Sequence, residues 1–168
     1  MSAKSSQGEG GLFSLHGEEK FRLKGDTTIS KKILVSKSPL ETQRIGKKLA
    51  ARLEKGDVLA LVGDLGSGKT VFTKGIAEGL GVKNAHYVNS PTFVIIKEYR
   101  GKLPLYHFDL YRLDHRTSLD EMNCEEYFYS DGVTVIEWAD KIRELLPKKY
   151  TEVRFSMAGE NRRKIEIL

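Results

Sequence analysis

The sequence predicts an α/β fold of three layers, with a mixed, mostly parallel central sheet between two layers of helices. Strand-like apolar runs alternate along the chain with amphipathic, helix-like segments. One run, VLALV at residues 58–62, is continuously apolar, which is typical of a strand buried on both faces in a parallel sheet. Two pairs of predicted strands are joined by short turns, so some antiparallel neighbours are expected as well.

The bulk properties favour one cytoplasmic domain of residues 31–168 after a flexible extension of residues 1–30. The extension is predicted because residues 1–30 are rich in Gly, Ser and Lys with scattered apolar residues. No apolar run approaches the ~18 residues of a membrane span, and the chain start lacks the apolar core of a secretory signal. The single cysteine, Cys124, excludes an internal disulfide. The net charge of +5 permits weak contact with RNA without demonstrating it.

The first elements of the domain are a short strand and an amphipathic helix. KKILVS, residues 31–36, predicts the strand. The next segment predicts a helix because its apolar residues recur at every fourth position, at Ile45, Leu49 and Leu53. We expect Gly56 to end this helix.

The middle of the chain predicts a strand, a helix and a hairpin. The buried strand at 58–62 is followed by GDLGSGKT and by a helix with Phe72, Ile76 and Leu80 on one face. Residues 92–113 predict two strands around a tight turn at 100–102.

In the second strand of that hairpin the side chains alternate. Phe108 is expected to point to one face, and His107 and Asp109 to the other. The pattern Ser118-x-x-Glu121 is a capping box and predicts the start of a helix.

The last third of the chain predicts a strand, a short helix and a closing hairpin. VTVIEW, residues 133–138, reads as the strand, and ADKIRELLP as a helix that Pro147 stops. EVRFSM and RKIEIL read as two strands joined around residues 159–161.

GDLGSGKT fits the phosphate-binding pattern G-x-x-x-x-G-K-[ST], and a strand before and a helix after it support this interpretation. Its glycines let backbone N–H groups approach phosphate oxygens. We expect Lys69 to reach the β- and γ-phosphates and the Thr70 hydroxyl to ligate Mg²⁺. This P-loop makes the predicted architecture a P-loop NTPase fold. The residues predicted to bind nucleotide here are Asp64, Leu65, Gly66, Ser67, Gly68, Lys69 and Thr70.

Two acidic residues are predicted to complete the site, and both are assigned with Lys69 as catalytic. Glu137 ends the apolar run VTVI, where P-loop proteins place the acid that holds Mg²⁺ or its water; a solvated strand-end Glu is the alternative. Asp109 lies among aromatic strand residues, where a charge needs a partner. It is predicted to belong to the metal shell or to orient water, with a salt bridge to Arg112 as the structural alternative.

NSPTF, residues 89–93, lies between the P-loop helix and the next strand, where GTPases keep the segment that senses the γ-phosphate. Thr92 is predicted to contact Mg²⁺ or the nucleotide, although Ser-Pro is also common in simple turns.

Motifs missing from the sequence narrow the nucleotide and the activity. No N-K-x-D and no D-x-x-G occurs, so ATP is expected rather than GTP. A small-molecule kinase would need an arginine-rich lid and an acceptor pocket, and the one adjacent arginine pair, Arg162-Arg163, lies between two predicted strands near the C-terminus. A kinase remains the alternative to an ATPase that serves another protein.

Taken in order, GDLGSGKT, SPTF, YHFDLYRL and IEWADK resemble the bacterial TsaE family, over about residues 38–146. The resemblance implies a cytoplasmic ATPase of tRNA threonylcarbamoyladenosine biosynthesis, with ATP and Mg²⁺ as cofactors. It implies that Thr70 and Glu137 ligate Mg²⁺ and that Asp109 serves ATP turnover. It also implies that Trp138 flanks the site and, more loosely, that Thr42 and Arg162 or Arg163 flank the adenine.

Members of this family act with the TsaB–TsaD pair, which modifies N6 of adenosine 37 in tRNA. The resemblance therefore implies that ATP turnover drives or resets that pair, that contact with tRNA is indirect or weak, and that no membrane is involved. The motifs fit such a role, because the chain has residues suited to bind phosphate and a metal ion but no evident pocket for an acceptor substrate.

Overall fold

The computed structural model describes residues 31–113 and 123–168. The predicted extension, residues 1–30, and the predicted capping box at Ser118 and Glu121 lie outside the described residues. In the part of the chain that is described, no helix is both long and apolar enough to cross a membrane.

Seven strands of the described residues form one sheet in the order β1-β7-β6-β2-β5-β4-β3. The strands are β1 (Lys32–Ser36), β2 (Val58–Val62), β3 (Ile96–Tyr99), β4 (Leu105–Asp109), β5 (Val133–Glu137), β6 (Thr151–Met157) and β7 (Arg163–Ile167). The helices of the described residues are α1 (Pro39–Ala50), α2 (Lys69–Gly79) and α3 (Cys124–Phe128), with 3₁₀ helices at Ala85–Tyr87 and Ala139–Leu145.

The sheet is mixed, as predicted. The pairs β2–β5, β2–β6 and β4–β5 are parallel, and the pairs β1–β7, β6–β7 and β3–β4 are antiparallel. Five of the seven described strands therefore run in one direction, and β3 and β7 run in the other. Strand β2 lies at the centre between two parallel neighbours, which explains its unbroken run of apolar residues.

Helices cover both faces of the sheet and give the three predicted layers. On one face, α1 and α2 pack over a core that includes Leu59, Phe72 and Ile76. On the other face, α3 and the 3₁₀ helix at Ala139–Leu145 pack over a second core that includes Phe108. The predicted alternation along β4 is confirmed, because its residues divide between the two cores.

Helix α1 begins as its sequence indicates and ends earlier than predicted. Ser38 is the N-cap and accepts a hydrogen bond from the Glu41 N–H at 3.2 Å, and Pro39 follows in the first turn. The helix ends at Ala50, so the prediction that Gly56 ends it is wrong. Gly56 instead has φ +78° and donates its N–H to the Gly132 carbonyl at 2.7 Å, which makes it part of the turn into β2.

Helices α1 and α2 approach each other closely along a seam of glycines. A Cβ at Gly46 would lie 2.3 Å from the Phe72 carbonyl oxygen, and a Cβ at Gly75 would lie 2.0 Å from the Gln43 carbonyl oxygen. The close approach therefore depends on these two residues having no side chain. The seam holds α2 in place, and α2 begins with the predicted phosphate-binding lysine.

ADKIRELLP forms the predicted short helix, which is of the 3₁₀ type, has non-helical backbone at Ile142 and ends at Leu145. The first hairpin strand begins at Ile96 rather than near residue 92, because Pro91 accepts backbone bonds from Val94 and Ile95 at 3.0 and 2.7 Å and forms a turn. This turn carries the segment predicted to sense the nucleotide.

Candidate active site

The P-loop connects β2 to α2 through three glycines with positive φ. Gly63, Gly66 and Gly68 have φ of 151°, 76° and 103°. At Gly63 a Cβ would lie 2.6 Å from the Phe155 carbonyl oxygen, so a side chain has no room there. Gly68 caps α2 in the left-handed region. The loop therefore leads directly into the N-terminus of α2, which is the arrangement that phosphate-binding loops use.

Lys69 is the first residue of α2, and its side chain turns back onto the loop. Its Nζ donates to the carbonyl oxygens of Gly63 and Asp64 at 2.5 and 2.9 Å, and lies 4.0 Å from the centre of the Trp138 ring. Burial lowers the pKa of the Lys69 ammonium, while the charges of nearby carboxylates, Glu137 first, oppose that shift. The ammonium thus lies where the loop and the strand-end acid converge.

Glu137 is buried at the end of β5 beside the start of α2. It is 2% exposed, and its Oε2 accepts a hydrogen bond from the Thr70 hydroxyl at 2.9 Å. Its Oε1 lies 2.8 Å from His107 Nε2 and 3.5 Å from the Thr73 hydroxyl. The alternative of a solvated strand-end Glu does not describe this carboxylate.

Asp109 lies beside Glu137 because their strands are parallel and in register. The two residues are directly paired at the carboxyl ends of β4 and β5. Asp109 is 3% exposed and accepts hydrogen bonds from the Ser90 hydroxyl, from the Thr92 hydroxyl at 3.0 Å and from the Tyr111 N–H at 2.8 Å. Sheet register thus brings two acids, predicted from separate motifs, to one edge.

The segment of residues 89–95 is held against Asp109 by hydrogen bonds. Ser90 and Thr92 both donate to the Asp109 carboxylate, and the Asp109 N–H donates to the Ile95 carbonyl at 2.9 Å. Ile95 has φ +65°, which is rare for a β-branched residue. Thr92 is predicted from the sequence and Ser90 is not, although Ser90 offers a second hydroxyl two residues before Thr92.

Arg112 does not form a salt bridge with Asp109, which was the alternative to a functional role for this carboxylate. Its guanidinium lies over the Phe93 ring, 4.2 Å from the ring centre. Both side chains line a cavity of about 470 Å³ with the P-loop and the two acids. The cavity lining includes Gly66, Lys69, Thr70, Ser90, Thr92, Asp109, Tyr111, Glu137 and Trp138.

Comparison with known proteins places this arrangement in a family. The model of threonylcarbamoyl adenosine biosynthesis protein TsaE matches residues 36–165. The chain is 50% identical over 129 residues to the tRNA threonylcarbamoyladenosine biosynthesis protein TsaE of Bacillus subtilis, over 76% of this chain and 79% of that protein. It is 37% identical over 133 residues to the protein of the same name from Treponema pallidum, over 79% and 97% of the two chains.

The chain belongs to the TsaE family. A solved structure agrees, since the crystal structure of Bacillus subtilis YdiB matches with a TM-score of 0.68 and 40% identity, over 84% of this chain and 87% of that one. The predicted family membership and fold class are therefore confirmed.

The resemblance to TsaE implies four further site residues, which lie at different distances from the P-loop: Trp138, Thr42, Arg162 and Arg163. Trp138 contacts Lys69 as described above. A Cβ built at Gly68 would lie 3.6 Å from Thr42 Cγ2 and 3.9 Å from Arg163 Cγ, so both side chains border the loop. Arg163 also donates to the Gly66 carbonyl at 3.2 Å.

Arg162 is exposed in the turn between β6 and β7, where its side chain lies near Gly159. The structure thus places Arg163, not Arg162, against the P-loop of this TsaE-family chain. Contact of Thr42 or Arg162 with adenine stays a prediction.

The donor set fits Mg²⁺. This ion prefers oxygen ligands and takes few of them from protein when phosphates are present. Thr70 and Glu137 offer two oxygens 2.9 Å apart at the start of α2. Within residues 31–113 and 123–168, no group of three or more His, Cys, Asp or Glu has an arrangement that could hold a metal. The Thr70–Glu137 pair is the candidate for a magnesium site because its two oxygens lie together at the start of α2, directly after the loop.

Proposed function

We propose that this chain binds ATP with Mg²⁺ and hydrolyses it as an accessory protein in the synthesis of threonylcarbamoyladenosine at position 37 of tRNA. The observation that carries the proposal is the contact of the Thr70 hydroxyl with the Glu137 carboxylate at 2.9 Å, directly after the P-loop. This contact joins the phosphate-binding helix to the acid-bearing strand, which is the pairing that P-loop NTPases use.

Each group of the site has a role in this proposal. The amides of residues 64–70 bind the phosphates, and the Lys69 ammonium exchanges its carbonyl partners for phosphate oxygens. Thr70 and Glu137 would hold Mg²⁺, which when bound neutralises charge on the β- and γ-phosphates. The remaining residues that line the cavity would surround the terminal phosphate of the bound nucleotide.

Asp109 is proposed to orient the attacking water. Its Oδ2 accepts from Ser90 and Thr92, and its Oδ1 accepts from the Tyr111 N–H. An sp² oxygen can accept two hydrogen bonds, so Oδ1 retains capacity for a water in the cavity. The two hydroxyls hold the carboxylate in one orientation at the lining of the cavity.

We further propose that hydrolysis is slow in the isolated protein and serves partner proteins of the TsaB–TsaD type in the cytoplasm. Arginine fingers accelerate phosphoryl transfer by ~10³–10⁵-fold. Arg112, the arginine in the cavity lining, stacks on Phe93. A partner that supplies or repositions such a cation would raise turnover. Direct contact with tRNA is proposed to be weak, in keeping with the net charge of +5.

The test is phosphate release from ATP by the purified chain, alone and with the TsaB–TsaD pair and tRNA. We expect low release alone, at least tenfold more with the partners, and loss of both rates in Lys69→Ala. Glu137→Gln tests the carboxylate separately from the lysine, because glutamine keeps the size of the Glu137 side chain and removes its charge. Unchanged turnover with saturating partners would contradict the accessory role. A phosphorylated metabolite formed from a metabolite pool would instead support the small-molecule kinase.

A further inference from the structure

His107 lies behind the site and has no exposed surface. It is in the middle of β4, is 0% exposed and is not part of the cavity lining. Its Nε2 lies 2.8 Å from Glu137 Oε1. A carboxylate only accepts hydrogen bonds, so Nε2 carries the proton and donates it. His107 therefore reaches the site through Glu137 and cannot touch a nucleotide in the cavity.

The two oxygens of Glu137 have different partners. Oε1 faces the interior, where His107 donates to it and the Thr73 hydroxyl lies 3.5 Å away. Oε2 faces the start of α2, where Thr70 donates to it. Fixing Oε1 from inside leaves Oε2 as the oxygen directed toward Thr70 and the cavity.

Strand pairing makes this arrangement possible. His107 is opposite Val135 in the parallel β4–β5 pair, so Glu137 is its diagonal neighbour two residues further along β5. Diagonal neighbours on one face of a sheet are within reach of long side chains. A one-residue shift of either strand would turn the imidazole or the carboxylate to the opposite face.

Packing alone does not account for a histidine at this position. Its Nδ1 is buried without a hydrogen-bond partner among the described residues. A buried polar atom without a partner is unfavourable, and an apolar side chain of similar size would avoid that cost. The histidine thus carries a penalty that its bond to Glu137 must offset.

We propose that His107 is a positioning residue that fixes the Glu137 carboxylate, so that Oε2 is presented together with the Thr70 hydroxyl. This inference rests on the proposed function, since it assigns His107 to the pair that would hold Mg²⁺. Residues that orient a metal ligand from behind typically change metal affinity or activity by ~10–100-fold when removed.

The test compares His107→Leu, which removes the donor, with His107→Gln, which keeps an N–H at a similar reach. Protein loaded with a non-hydrolysable ATP analogue is titrated with Mg²⁺, and binding is followed by calorimetry and by the emission of Trp138, the single tryptophan. For His107→Leu we expect the Mg²⁺ midpoint to rise about tenfold, with analogue affinity in EDTA within twofold of the wild type. His107→Gln should recover most of the shift.

Thr134→Val is the matched control. Thr134 is buried in β5, on the face opposite Glu137, and donates to the Tyr127 carbonyl at 2.9 Å. Losing that bond should lower the melting temperature and leave the Mg²⁺ midpoint unchanged. If His107→Leu fails to fold by circular dichroism, His107→Asn replaces it, because the shorter amide cannot reach Glu137.

The outcomes separate this inference from the proposed function. A wild type that binds neither the analogue nor Mg²⁺ contradicts the ATPase proposal itself. A wild type that binds both, with the same Mg²⁺ midpoint in a folded variant lacking the donor, overturns the role of His107. Equal shifts in the Leu and Gln variants also overturn it, because restoring an N–H donor should restore the position of Glu137.

Discussion

Substituting Gly75 by alanine should destabilise the domain, although alanine is the better helix former. Gly75 lies in α2, where its Cα faces the backbone of α1. An added Cβ would lie 2.0 Å from the Gln43 carbonyl oxygen and 2.9 Å from the Lys47 nitrogen. Both neighbouring atoms belong to the backbone, so neither can rotate away as a side-chain end could.

The loss of stability expected for Gly75→Ala can be estimated from these distances. Restoring an ordinary contact of about 3.5 Å requires the two helices to separate by roughly 1.5 Å, and a gap of even ~1 Å loses up to about half of the dispersion energy of the atoms facing it. Overpacking of this kind costs about 3 kcal/mol at the upper end, and the better helix propensity of alanine returns about 1 kcal/mol. The net loss is about 2 kcal/mol, or roughly 5–10 °C in melting temperature.

The assay is thermal and urea unfolding by circular dichroism, with ATP affinity measured on the same samples. Lys48→Ala is the control, because Lys48 is exposed on α1 and its substitution should change stability by less than about 0.5 kcal/mol. Affinity should fall in Gly75→Ala, since displacing α2 moves Thr70 away from Glu137. A Gly75→Ala protein as stable as the wild type, or more stable, would refute the close approach of the two helices.

Three further predictions concern the site and the single thiol. Asp109→Asn should lower ATP turnover by at least ~100-fold, with nucleotide affinity within about threefold; Ser90→Ala should lower turnover less, because a second hydroxyl still holds the carboxylate. Unfolding of Asp109→Asn would instead assign the residue a structural role. Arg163→Ala should weaken ATP binding by about fivefold, or ~1 kcal/mol, in equilibrium titrations, whereas Arg162→Ala should not; a larger effect of Arg162→Ala would contradict the role inferred from the contact of Arg163 with the loop. Burial raises the pKa of the Cys124 thiol, so the native protein should react with a disulfide reagent at pH 8 at least ~100-fold more slowly than the denatured protein, and fast native labelling would contradict its buried position.

Some elements could be predicted because their signals are local. VLALV and the P-loop after it are continuous in sequence, and the structure places β2 at residues 58–62 as expected. The predicted apolar face, formed by Phe72 and Ile76 of α2 and by its C-cap Leu80, is buried as its spacing indicates. Such patterns reveal which side of an element faces the core, because side-chain direction repeats with the period of the backbone.

Other features could not be predicted because they depend on contacts between residues that are far apart in the sequence. Helix α1 ends at Ala50 rather than at Gly56, and Gly56 instead contacts Gly132, 76 residues further along the chain, in the turn into β2. The bond between Ser90 and Asp109 spans 19 residues, and the bond between His107 and Glu137 spans 30. Each requires a particular strand order or turn, which local periodicity does not specify.

The amino-acid sequence alone indicates the chemical groups of this protein: a P-loop with its lysine and threonine, two strand-end acids and a TsaE-like order of motifs. It could do so because these signals are residue types at fixed short spacings. The contacts between these groups depend on the folded chain: which oxygen of Glu137 faces Thr70 and which faces His107, and which arginine lies on the loop. Those choices follow from the register of β4 against β5 and from the path of the last hairpin, which pairings distant in sequence establish.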